Sequence, residues 1–98
     1  MPYIKHEIRK KLDPLIESLA NRIGAEPDDF TGILNYVITT LVLKIIQNRY
    51  TNIKYWMIAS ITGVFKNVSD EFYRRVVIPY EDKKIQENGD ITEFTNFT

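Results

Sequence analysis

The stretch from Asn52 to Gly89 constrains this chain more than any other. Ile53, Met57, Ile61, Val64, Val68, Phe72 and Val76 follow one another at spacings of four and three, a heptad-like seam of the kind that packs against another helix. At 1.5 Å of rise per residue, a helix over 52–89 is about 55 Å long and overhangs any bundle that the rest of a 98-residue chain can build beside it. Such a helix asks for a partner subunit. Met57, Ile61, Val64, Val68 and Phe72 are therefore the expected oligomer interface. Pro79 deletes one backbone bond and is expected to kink this helix near that point rather than end it, since Tyr80 to Glu87 still read as helical. Asn88-Gly89 is the expected stop, and 90–98, with Phe94 and Phe97 among Thr, Asn and Glu, has no helical period and reads as a tail.

Upstream, Ile4, Ile8 and Leu12 recur every four residues among Lys5, Glu7, Arg9, Lys10 and Lys11, the pattern of a short amphipathic helix that Pro14 ends. Pro14 also suits the first position of a second helix capped by Asp13, with Leu15, Ile16, Leu19, Ala20 and Ile23 on one face and Gly24 as its stop. Glu26-Pro27-Asp28-Asp29 supplies cap chemistry for a third helix that begins between Asp29 and Gly32. Its apolar residues repeat as adjacent pairs four apart, from Ile33-Leu34 to Ile45-Ile46, and cover more than half the circumference. This is the expected central, most buried helix. Asn52 is the expected cap of the long fourth helix. The fold class is all-α: a small helical bundle over 1–89 with a long C-terminal helix, oligomerising through it, and a tail over 90–98.

Composition narrows the chemistry. Lys plus Arg equals Asp plus Glu at 13 each, so no overall field draws the chain to nucleic acid or an anionic membrane. There is no cysteine, which removes disulfides, thiolate catalysis and Cys-type zinc sites together. The longest nearly apolar run, Tyr36 to Ile46, is broken by Thr39, Thr40 and Lys44 and is short for a bilayer. A cytoplasmic location, with no membrane contact, is the expectation.

No catalytic constellation, metal site or cofactor is expected. His6 is the lone histidine and has no second nitrogen ligand or nucleophile nearby. Glu26, Asp28 and Asp29 lack the alternating ligand positions of a calcium loop and read as helix caps. Glu71, Glu81 and Asp82 have basic neighbours and read as a charge-paired face, with Asp70–Arg74 and Glu71–Arg75 at i,i+4. Ser18, Ser60 and Ser69 lack a glycine-flanked elbow, and the glycines at 24, 32, 63 and 89 are too scattered for a phosphate loop. Ala59-Ser-Ile-Thr-Gly63-Val64 imitates the turn of a helix-turn-helix with Arg74 and Arg75 downstream, although the apolar seam crosses the supposed turn. The sharpest ligand hypothesis is the block Tyr73, Arg74, Arg75, Tyr80, Lys83 and Lys84. Two guanidiniums, two ammoniums and two phenols within about three turns suit a phosphate or nucleotide.

Met1-Pro-Tyr-Ile-Lys5, Arg9-Lys-Lys-Leu-Asp-Pro-Leu-Ile16, Leu34-Asn-Tyr-Val-Ile-Thr39, Glu71-Phe-Tyr-Arg-Arg-Val-Val77, Pro79-Tyr-Glu-Asp-Lys-Lys-Ile85 and Glu87-Asn-Gly-Asp90 resemble a family of small proteins of unknown function found in bacteriophages and in bacterial and archaeal genomes. The segments 40–67 and 92–98 diverge. The resemblance implies a phage or prophage setting and brings no catalytic residues. The expected function is that of a non-enzymatic, homo-oligomeric cytoplasmic accessory protein. The alternatives are an oligomer that binds or sequesters a nucleotide-like ligand against host defence, and a helix-turn-helix regulator.

Overall fold

Pro14 does not break the first helix. In the computed structural model, which describes residues 2–97, α1 runs without interruption from His6 to Ala25 with Pro14 inside it. Met1 and Thr98, which begin and end the expected spans 1–89 and 90–98, lie outside the described residues. An interior proline costs about 3 kcal/mol, but two short helices would each bear the cost of nucleation. Ile8, Leu12, Leu15, Ile16 and Leu19 also form one stripe that continues across the proline. Gly24 is likewise helical rather than a stop. The helix ends where Glu26 turns extended, at φ −71° and ψ 135°, because the ring of Pro27 disfavours helical geometry in the residue before it.

The chain divides by its internal contacts into two units, Pro2–Ile58 and the residues from Ala59 onward. In the first unit, α2 spans Phe30–Arg49 and makes contact with α1. Asp29 caps α2 by accepting the Thr31 N–H at 3.0 Å, and that bond holds its carboxyl below the usual value of 3.8. A carboxyl lowered in the folded state stabilises above its ordinary pKa, and the contribution is lost as pH falls through the folded value. Asp29→Ala is thus expected to lower the melting temperature and helical circular-dichroism signal at pH 7, with the two proteins converging in acid. A difference that persists undiminished at pH 2 would remove the cap from the explanation.

α2 is not the buried helix its composition suggests. None of its residues is buried; Ile33, Val37 and Thr40 are half-buried, while Tyr36 and Leu41 are exposed. By length and composition α2 could cross a membrane, a property it shares with core helices of soluble proteins. The helix extends beyond the apolar run 36–46 because the cap at Asp29 starts it at Phe30.

The unit closes in a local corner. The rings of Tyr50 and Trp56 meet edge to face, 5.5 Å apart at 86°. α3 starts at Tyr55, not after Asn52. The Lys54 N–H donates to Met57 Sδ at 3.3 Å, so a thioether three residues on fills the place that Glu or Gln takes in a capping box. Met57, 3% exposed, is the only buried hydrophobic residue among those described. The expected bundle therefore is not closed within either unit.

The second unit holds most of α3 (Tyr55–Phe72), a π-helical turn over Tyr73–Val77, α4 (Ile78–Asn88) and a single turn, α5, over Thr92–Thr95. The first three join into one kinked helix, as the reading of Pro79 anticipates. The cause is visible in the backbone. Ile78 N–H reaches back five residues to the Tyr73 carbonyl, and this widened turn sits just before the residue that has no N–H to donate. α4 ends at Gly89, whose φ of 85° and ψ of 153° lie where only glycine is at ease. The tail differs from expectation at α5. There Asp90 Oδ1 accepts the Ile91 N–H at 2.7 Å and Thr95 Oγ1 donates to the Thr92 carbonyl at 2.7 Å.

Candidate functional site

Of the five expected interface residues, α3 presents three openly: Val64, Val68 and Phe72 are 58%, 62% and 60% exposed. Ile61 is half-buried. Met57 is the exception, since it is 3% exposed and its sulfur accepts the Lys54 N–H. Phe65, absent from the seam as read by heptads, belongs beside it at 43% exposure. Its signal was there in the four-residue step from Ile61.

The basic and aromatic block straddles the π turn. Tyr73, Arg74 and Arg75 lie within it, and Tyr80, Lys83 and Lys84 on α4. Arg74 Nη2 bonds Glu71 Oε2 at 2.7 Å, an i,i+3 pair where the spacing pointed to Glu71–Arg75 at i,i+4. Lys84 Nζ bonds Glu87 Oε2 at 3.1 Å and stands 5.6 Å from the centre of the Tyr80 ring. No ion pair among the described residues engages Arg75 or Lys83. Both ion pairs are exposed, so each contributes under about 1 kcal/mol. The six residues run along the outside of a helix. Two of the recesses in the structure lie elsewhere, both in the first unit. One follows the Thr31, Asn35, Thr39 row of α2. The other lies under residues 2–4, which the Arg9 Nε–H holds over α1 through a 2.8 Å bond to the Ile4 carbonyl.

The helix-turn-helix imitation is overturned. Gly63 and its neighbours lie in the middle of α3, which is helical without a break, because the seam on both sides of the glycine outweighs its modest helix penalty of about 1 kcal/mol. Among the described residues, no group of three or more His, Asp or Glu side chains is placed to hold a metal ion.

What the described residues define is an all-helical chain without strands, whose apolar faces stand largely uncovered. The chain belongs to the family described as Domain of unknown function (DUF6899), whose profile matches residues 1–91. No curated protein and no solved structure matches it.

Proposed function

We propose that this chain is a non-enzymatic accessory protein that works as a homo-oligomer, associating through the exposed face of α3. One observation carries the reading: among the described hydrophobic residues only Met57 is buried. Burying a Val, Leu, Ile or Phe side chain contributes about 1.5–3 kcal/mol, while ordering the backbone costs about 1–2 kcal/mol per residue. Helices whose apolar residues stay in water have little to offset that cost. Neighbouring copies supply the missing cover. Light scattering on the purified protein should therefore return a dimer or larger species, and a monodisperse folded monomer would sink the reading. We place it in the cytoplasm, on the balanced charge and on Lys44 within the apolar run of α2. Recovery in the membrane fraction of lysed cells would give α2 to the bilayer instead. A phage or prophage setting rests on the resemblance carried by the block from Glu71 to Asp90.

A second reading, sequestration of a nucleotide-like ligand, draws on the π turn, since such bulges are frequent at functional sites. Arg74 and Arg75 lie in the turn, about one and a half turns from Tyr80 and two to three turns from Lys83 and Lys84. A single copy shows these groups on a convex surface, so a pocket needs a second copy. A melting screen against mono-, di- and cyclic nucleotides tests it. A ligand at 100 times its Kd stabilises by about 2.7 kcal/mol, and Arg75→Ala should abolish that shift. No shift with any nucleotide leaves the block as a charged helix surface.

A further inference from the structure

The apolar face of α3 is self-complementary. From Met57 to Phe72 its residues are Met57, Ile61, Val64, Phe65, Val68 and Phe72, separated by four, three, one, three and four positions, the same series from either end. α3 is continuous over all of them. At about 100° per residue they occupy an arc of roughly 100°, with Lys66 and Asp70 on the far side of the helix. Within the arc, Met57-Ile61-Phe65 and Val64-Val68-Phe72 form two parallel ridges of i,i+4 residues. A face of this kind maps onto itself under a two-fold axis between Val64 and Phe65. Such symmetry is what an isologous interface requires of its surface.

We infer that α3 packs against α3 of a second copy about a two-fold axis at Val64 and Phe65, with the helices antiparallel and Ile61 facing the partner's Val68. This deepens the proposed homo-oligomer and rests on it. Ridges of i,i+4 residues that interdigitate cross at about −50° rather than running side by side as a coiled coil does. The contact is then confined to the middle of the helix, and the ends diverge. Val64, Phe65, Val68 and Phe72 are open to such a contact, Ile61 is half-buried, and Met57 is already buried within its own copy. The arc itself carries no charged side chain; just outside it, Glu71 borders one edge and Ile58, 53% exposed, the other, so across the two-fold Glu71 meets the partner's Ile58 and not a like charge.

The absence of native cysteine makes the test direct. Two full-length variants, Ile61→Cys and Val68→Cys, the second with a size tag, are each confirmed as oligomers by light scattering while reduced, then mixed and mildly oxidised. A disulfide needs Cα atoms within about 7 Å, so the mixed Ile61→Cys/Val68→Cys band should dominate both self-linked bands, with Lys66→Cys giving none. Dominant self-linked bands would show a parallel pair and overturn the inference. Oligomers that yield no cross-link would overturn it while leaving the homo-oligomer intact, because the interface would then lie elsewhere. Monomers throughout, with the unsubstituted protein also monomeric, would remove both.

Discussion

Val68→Glu is expected to turn the oligomer into weakly associating or unfolded chains. Val68 is 62% exposed in a single copy and sits on the arc that a second copy would cover. A carboxylate there is buried without a partner, at a cost on the order of 3 kcal/mol. An isologous contact bears that cost twice, so association should weaken by roughly 10⁴-fold at 1.4 kcal/mol per factor of ten. Sedimentation equilibrium over a range of concentrations reads the change. Acid should partly reverse it, because burial raises the carboxyl's pKa in the oligomer, so association returns as pH falls toward the ordinary Glu value of about 4.3 and is restored below it. Lys66→Glu, on the far side of α3, is the control and should associate normally. A Val68→Glu protein with unchanged mass and stability would place the interface elsewhere.

The second large effect is expected at Pro79, in the opposite direction. A proline in a helix interior is about 3 kcal/mol less favourable than alanine, and here the chain has already adapted through the π turn over Tyr73–Val77. Pro79→Ala should therefore raise stability by about 1–3 kcal/mol, read as a higher melting temperature and a stronger helical signal. It also removes the reason for the five-residue bond from Ile78 to Tyr73. If the turn relaxes to α-helix, everything after Val77 rotates by about 100° about the axis, and Tyr80, Lys83 and Lys84 change their placement relative to Arg74 and Arg75. Ligand stabilisation, where it exists, should fall while oligomer mass stays constant, since the two-fold axis lies well before the bulge. A lower melting temperature in Pro79→Ala would mean that contacts with a partner, rather than the proline, hold the π turn in place.

Local breakers give way where a helix is cooperative: the continuous apolar stripe of α1 overrides Pro14 and Gly24, and the helix ends instead where Pro27 forces Glu26 extended. Asp29, by contrast, was legible as a cap, because a carboxylate two residues before a free N–H acts locally. The cap of α3 was not legible, since a methionine returning its sulfur to Lys54 has no established sequence signature. The π turn was half legible: Pro79 announced a kink, but which carbonyl would give way depends on backbone geometry that residue types do not encode.

The sequence by itself determined that the chain is all-helical, the kink near Pro79 and most of the apolar seam of α3, because helical period and proline chemistry act over a few residues. Only the tertiary structure decided that most of that seam stays uncovered within one chain, that among the described residues Met57 alone is buried, and that the six basic and aromatic residues line the outside of a helix. Burial depends on what lies across from a side chain, and one copy of this chain places almost nothing there.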